Sequence, residues 1–425
     1  MSEEKVVFIG AGGEMCRVAV ERFAATGDAH LVLADINSEA LEKVTSTLPP
    51  GRATTTTLDL FDPASLSRAI EGASLVVLGA GPYQRTAEPV INACLEARIP
   101  YLDFDDDVES TDAALSLHER AQEAGVPCYI GCGASPGMSN VMVLDAAADL
   151  DSVDTLDICW LVGDERPGIG RAVLEHLMHI AAGPCLTWAE GKPTVNETWV
   201  ETAYAPMGGG AGETLLHETA HPEAVTVPRL YPNATRIRVL GGLDPAPFNG
   251  IARGLAKAVR RRSLPLDAAV DFLVDLLDGK PGSLKGWRHA LAGMVEQVRT
   301  GECTTGEVLD FLISSARGKT APTYRGGLLV RAIGARDGRP AVSIKRTPTS
   351  GAGTFLFKDM AAITGTACAA FMTMALDLGR ERPGVFAPED WAQPEAFYKA
   401  LERVGTPRAE IIESLTPSAS SMAEV

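Results

Sequence analysis

The sequence predicts an α/β protein: a doubly wound parallel sheet, then a second α+β unit. Three observations carry this. Over residues 1–150 short β-rich runs alternate with helix-periodic stretches, and such alternation builds parallel sheets covered on both faces. A glycine-rich turn, Gly10-Ala11-Gly12-Gly13, separates the first run from the first helix. Beyond about residue 151 the rhythm gives way to a long β-like, glycine-rich region and then to helices.

Taken in order, Lys5–Ile9 reads as a strand. Met15, Val18, Ala19 and Phe23 then recur at helical spacing, and Gly27 ends that helix. His30–Ala34 is the second strand, followed by a helix from Asn37 or Ser38 to about Thr45. Further strands fall at Thr54–Leu58, Leu75–Leu78, Tyr101–Asp103 and Cys128–Ile130, with helices near 63–71, 86–98, 110–124 and 137–150. In the helix at 86–98, Val90, Ala93, Cys94 and Ala97 share one face, and Pro89 falls in the first turn, where its missing N–H is tolerated. Right-handed crossovers wind such units into a Rossmann arrangement.

The second unit opens with a strand, Leu156–Val162, and a helix, Arg171–Ala182; β-like sequence then runs to about 245. A basic helical stretch (Arg253, Lys257, Arg260, Arg261, Arg262) reads as a solvated face, and helix continues to about 298. Leu328–Ala332 and Ala341–Lys345 form a strand pair around Arg336-Asp337-Gly338. Ser350-Gly351-Ala352-Gly353 reads as a hinge before an apolar helix at 359–378. The boundaries expected are 1–150, 151–350 and 351–415, with 416–425 a disordered tail.

Composition narrows the function. Of 425 residues, 55 are acidic and 38 basic, a net charge of −17. That field repels phosphate backbones and anionic lipid, so neither nucleic acid nor membrane is expected as a partner, and it mildly favours a cationic ligand. The N-terminus runs straight into a strand, unlike a signal peptide. Met360–Leu376 holds three threonines and a glycine between charged flanks, which fits a buried core helix better than a membrane span. Eight scattered cysteines without a CxxC fit reduced thiols in a cytoplasmic protein.

Gly10 permits the tight turn and Gly12 a close backbone approach to a pyrophosphate; Gly13, Glu14 and Met15 open the helix whose N-terminus stabilises its charge. Met15 stands where the usual third glycine would let helix and sheet pack closely. Asp35, ending the second strand, is placed to accept hydrogen bonds from ribose hydroxyls, and Ile36 follows where an arginine could hold a 2′-phosphate. NAD is therefore the expected cofactor, with NADP the alternative. Asp59 would border the adenine. Gly79-Ala80-Gly81-Pro82 ends the fourth strand on the same carboxyl edge, beneath the phosphates and the nicotinamide ribose.

With these motifs in hand the chain resembles the saccharopine dehydrogenase-like family of oxidoreductases. The resemblance rests on Gly10–Gly13, on GPYQRTAEPVINACLEARIPYLDFDDD (81–107) and GCGASPGMSN (131–140), and on HPEAVTVPRLYP (221–232) and GVFAPEDWAQPEAFYKALERVG (384–405). It implies a Rossmann domain, a second α+β domain holding substrate, a returning C-terminal segment, and NAD(P)-dependent interconversion of an amine or amino acid with an imine. A homodimer is expected on the same basis. Residues 163–220 match nothing in the family pattern.

Hydride transfer to an imine needs a stabilised cation beside the nicotinamide. Asp103, Asp105, Asp106, Asp107 and Glu109 follow the fifth strand and would attract an amine; crowded carboxylates raise one another's pKa, so one can shuttle a proton. Asp103 and Asp107 match family positions and rank first as catalytic residues, with Asp106 contacting substrate. Ser135 reads as a helix cap with Pro136 at the first position; its neighbourhood, including Asn140, offers N–H groups to a carboxylate. Arg229 is a candidate carboxylate clamp, and Tyr83 and His221 are candidate proton donors. His217-Glu218-Thr219-Ala220-His221 spells a zinc-peptidase signature, but Pro222 follows directly and VTV beyond it is strand-like, so no metal is expected. The competing readings are a non-catalytic dinucleotide sensor and, more remotely, a zinc hydrolase.

Overall fold

The structure is a computed structural model describing residues 4–163, 170–317 and 325–415. The chain begins with β1 (Lys5–Ile9), α1 (Glu14–Thr26), β2 (His30–Asp35), α2 (Ser38–Ser46), β3 (Ala53–Thr57), α3 (Pro63–Ile70), β4 (Leu75–Leu78) and α4 (Tyr83–Ala97). There follow β5 (Tyr101–Asp103), α5 (Val108–Leu115), α6 (His118–Ala124), β6 (Pro127–Tyr129) and α7 (Met138–Ala147). Among the described residues these strands and a late one form a seven-stranded, wholly parallel sheet in the order β3-β2-β1-β4-β5-β6 and then residues 384–386. Val6, Val7 and Phe8 of the central β1 are fully buried on both faces, so the strand reads as a continuous apolar run. The order reverses between β1 and β4, where an open α/β sheet binds its ligand.

The second half comprises β7 (Ser152–Val162), α8 (Arg171–Ala182), β8 (Pro184–Ala189), β9 (Lys192–Glu197), β10 (Thr202–Met207), β11 (Gly212–Glu218), α9 (Glu223–Thr226) and β12 (Arg236–Leu243). Helices α10 (Pro247–Arg260), α11 (Leu266–Leu277), α12 (Leu284–Arg299) and α13 (Thr305–Ala316) precede β13 (Gly326–Arg336) and β14 (Arg339–Arg346). The last elements are α14 (Met360–Leu378), β15 (Gly384–Phe386), α15 (Pro388–Trp391), α16 (Pro394–Arg403), α17 (Arg408–Ile411) and β16 (Glu413–Leu415). A mixed sheet of nine described strands is centred on β7, which lies parallel to β12 and antiparallel to β13. β13 and β14 form the expected hairpin around Asp337-Gly338. β15 extends the first sheet, whereas β16 pairs with β14 of the second.

Several local expectations are corrected. α4 begins at Tyr83, so Pro89 lies inside the helix rather than in its first turn and omits one backbone bond there. The stretch 110–124 is two helices. Residues 223–229, read as strand-like, are α9 and a 3₁₀ turn, because Pro222 takes a helical φ and starts the turn. α13 was not anticipated, although Thr304 and Glu307 form its capping box, a pattern legible in TTGE. The basic stretch of α10 is not solvated. Arg253 is buried and its two Nη atoms bind Glu302 at 2.9 and 2.6 Å, while Lys257 and Arg260 bind Glu296 and Glu197. α10 is packed between α8 and α12, so its cations are neutralised where they are desolvated.

α14 is long and apolar enough to cross a membrane by length and composition, and here it is a core helix packed against α1 and α16. Its Gly365 lets it lie close on α1: a Cβ there would come within 2.6 Å of the Met15 carbonyl oxygen and of Val18 Cβ. The tail expected to be disordered lies outside the described residues.

Candidate active site

The cofactor cradle sits at the carboxyl edge between β1 and β4. Gly10 has φ +84°, and a Cβ there would lie 2.6 Å from the Ala80 nitrogen, so only glycine lets the two loops touch. Gly10 donates its N–H to Ala34 and Gly79 donates to Ile9, which pins both loops to the sheet. Gly13 caps α1 with no side chain bound across the helix end, leaving that end to a phosphate. Cys16 lies beneath, donating its thiol to the Gly79 carbonyl at 3.3 Å, and burial pushes its pKa to about 12. Gly81 and Pro82 are exposed along the edge, and the Thr86 hydroxyl donates to the Ala80 carbonyl at 2.6 Å. These groups fit a dinucleotide.

Asp35 ends β2 and receives the Gly12 N–H on one oxygen and the Asn37 N–H on the other, each at 2.9 Å. Asn37, not Asp35, caps α2. The carboxylate faces the cradle beside Ile36, which is 73% exposed. Asp59 is exposed and accepts the Phe61 N–H at 2.9 Å, shaping the turn before α3. Glu14 and Met15 lie in the first turn of α1, the former exposed and the latter half-buried.

The acidic turn after β5 divides into distinct environments. Asp103 is fully buried; its oxygens accept Tyr101 OH at 2.7 Å and the N–H groups of Gly131 and Asp105 at 2.8 and 3.1 Å. Burial lifts its carboxyl to about 6 despite those donors. It therefore ties β5 to the loop after β6. Asp105 is buried as well and accepts the Ser110 hydroxyl and the Asp107 N–H; desolvation, then the nearby Asp103, push it well above the usual carboxylate range. Tyr83 lies edge-on to Phe104, its hydroxyl without a hydrogen-bond partner among the described residues, and burial drives its pKa up.

Asp106 and Asp107 face a helix from the other half of the molecule. His176 of α8 places Nε2 3.1 Å from Asp106 Oδ2 and Nδ1 3.2 Å from Asp107 Oδ1. Burial disfavours its charge, but the two carboxylates outweigh this and lift it to about 9. Burial alone would raise Asp107; the hydrogen bond and charge of His176 hold it below its ordinary value. One turn further along, His179 lies 2.8 Å from the Gln84 amide and 3.4 Å from Glu109. Neither histidine was among the sequence candidates. The available signal was their i, i+3 spacing, which puts both on one helix face.

His221 completes the site from the segment after β11. Its Nδ1 lies 2.7 Å from Glu223 Oε2, while Glu223 Oε1 accepts the hydroxyls of Ser135 and Ser139 at 2.5 and 2.7 Å. Burial opposes the Glu223 charge, and His221 with the two serines overcomes it, holding the carboxyl below its usual range. Ser135 is thus not a helix cap. Gly137 is the cap, with φ +130°, and a Cβ there would fall 1.9 Å from the Gly133 carbonyl oxygen. Asn140 accepts the Gly137 N–H at 2.8 Å and donates to Glu389 at 2.8 Å, so it is buried structure rather than an open substrate contact. Arg229 does not stand free as a clamp: its Nη2 lies 2.8 Å from Asp390, joining the 3₁₀ turn to α15.

The HETAH segment breaks where chemistry would need continuity. His217 and Glu218 end β11, and His217 stacks on Trp199 and lies 3.0 Å from Glu302, while His221 lies near Trp160. The two histidines share no helix and have separate carboxylate partners, unlike a zinc-peptidase pair.

Fold and cradle together define a dinucleotide-binding protein. Residues 6–128 match the family described as Saccharopine dehydrogenase NADP binding domain. The carboxyaminopropylagmatine dehydrogenase of Synechocystis is 28% identical over 164 residues, 36% of this chain and 40% of that one. The trans-acting enoyl reductase of Mycobacterium tuberculosis is 29% identical over 135 residues, 31% of this chain and 32% of that one. The chain therefore spans less than half the length of these curated relatives. The saccharopine dehydrogenase (L-Glu forming) of Saccharomyces cerevisiae shares the fold over 98% of this chain and 100% of its own, with a TM-score of 0.62 at 13% identity. The family match covers the dinucleotide-binding part of the chain, and the likeness to the yeast saccharopine dehydrogenase is one of fold.

Proposed function

We propose that this protein is an oxidoreductase that uses NAD, or NADP in its place, to reduce an imine or oxidise a secondary amine or amino acid. The observation that supports it is the convergence of Asp106 and Asp107 with His176 and the His221–Glu223 pair at the carboxyl edge, beside the Gly79–Pro82 loop. When bound, the nicotinamide donates or accepts the hydride. Gly10–Met15 and Asp35 would hold the dinucleotide. Asp106 and Asp107 stabilise a cationic nitrogen, which makes its carbon the better hydride acceptor. Glu223 orients His221 through Nδ1, leaving Nε2 to give or take the proton on nitrogen. Tyr83 OH is a second donor at the same edge.

The test offers NADH or NADPH with aldehyde or keto-acid and amine pairs, and separately with an enoyl thioester, because one relative is named an enoyl reductase. Cofactor oxidation with the imine-forming pairs alone is expected. Oxidation with the enoyl thioester alone would overturn the CH–NH reading. Tight cofactor binding without turnover of any pair would favour a sensor. A cytoplasmic homodimer belongs to the same proposal, and sedimentation velocity tests the dimer.

A further inference from the structure

We propose that His176 occupies the cation subsite formed by Asp106 and Asp107, so that α8 acts as a built-in competitor which the substrate nitrogen must displace. This rests on the amine reading above. Geometry carries it. One oxygen from each aspartate lies within 4.8 Å of the other and of a ring nitrogen of His176. A tetrahedral ammonium that donates charge-assisted bonds of about 2.8 Å to two carboxylates sets their oxygens roughly 4.6 Å apart. An oxygen pair within that limit admits a single R₂NH₂⁺ nitrogen, and the chain has placed its own cationic side chain against the same two carboxylates.

The contact bridges the two halves of the molecule. Asp106 and Asp107 follow the fifth strand of the parallel sheet, and His176 projects from a helix packed on α10 and α11. Nδ1 hydrogen-bonds Asp107 and Nε2 faces Asp106 as an ion pair, so both ring nitrogens are turned toward a carboxylate. Its side chain is 22% exposed, so the contact lies at the edge of the cleft, where it can open without disrupting the core. His179, with Gln84 and Glu109, forms a second, more exposed contact one turn along the helix. Substrate selection follows. A neutral carbonyl or alkene has no charge with which to replace the imidazolium, whereas a protonated amine does.

The probe is N-methylbutylammonium, titrated calorimetrically into the full chain saturated with NAD. His176→Ala should bind it about tenfold more tightly than the wild type, the factor imposed by a contact closed about nine-tenths of the time. His176→Gln keeps the bulk and one N–H but loses the charge, so it should fall between them; it also serves if the alanine variant folds poorly. His179→Ala, which leaves the bridge intact, should change affinity by less than about twofold. Unchanged or weaker binding by both His176 variants would overturn the competitor, while wild-type binding abolished by Asp106→Asn with Asp107→Asn would leave the amine reading standing. Absence of binding by every protein, with NAD affinity intact, would overturn the amine reading and the competitor with it.

Discussion

Asp35 braces the Gly12 turn, and in the proposed function the same carboxylate would present negative charge to the ribose of a bound dinucleotide. Asp35→Ala should weaken NAD binding by about 10- to 100-fold, the range of a charge-assisted hydrogen bond, while weakening NADP less because a repulsive charge is removed. Fluorescence titration of both cofactors checks this, and equal losses would mean that Asp35 only braces the turn. Glu223→Gln removes the charge that orients His221, while Ser135 and Ser139 still find an acceptor. The expected result is a fall in kcat of about 10- to 100-fold with KM nearly unchanged, as for a weakened proton donor. A change confined to KM would place Glu223 in substrate binding instead.

At the scale of elements, α14 packs closely on α1 at Gly365. Gly365→Val would force two helices apart where a Cβ already meets backbone, and should cost about 1–3 kcal/mol. Thermal or urea unfolding reads it; an unchanged midpoint would show that the helices have room to shift. Strand periodicity, glycine turns and caps made β1 to β6 legible within a residue or two, because each depends on neighbours in sequence. α13 carried a legible signal that was passed over. The helix at 223–229 carried a misleading one: VTV favours a strand locally, but Pro222 commits the chain to a turn.

For the whole molecule, the contact between the halves is pH-dependent. His176 is lifted from 6.5 to about 9 by Asp106, Asp107 and Glu109 against the effect of burial, with His179 beside it on the same helix. A folded-state pKa raised above the unfolded one means that the contribution is fully present below pH 6.5 and is lost as pH rises through about 9. The stability difference between wild type and His176→Gln should therefore be largest at about pH 6 and vanish above pH about 10. Urea unfolding across that range measures it; a difference that stays constant would mean that the imidazole does not titrate with the contact. Glu389 behaves in the opposite sense to a paired acid. Buried between α15 and α7, it is lifted from 4.5 to about 7 by desolvation, so its contribution falls as pH rises through that window. Glu389→Gln should be nearly neutral at pH 5 and stabilising by roughly 1–3 kcal/mol at pH 8.

The sequence by itself determined the parallel sheet, the Gly10 and Gly79 loops and the position of Asp35, since all follow from contiguous patterns. It placed an acidic turn at the carboxyl edge but could not sort its members. Only the tertiary structure decided that Asp103 is internal bracing, that Asp106 and Asp107 meet His176, and that Glu223 pairs with His221 while Arg229 pairs with Asp390. The partners lie 28 residues apart for Asp103 and Gly131, 69 for Asp107 and His176, and 161 for Arg229 and Asp390. Periodicity reports which face of an element is buried, not which distant side chain will lie against it. Desolvation and pairing, which set the charge of each carboxylate, exist only once the two halves close on one another.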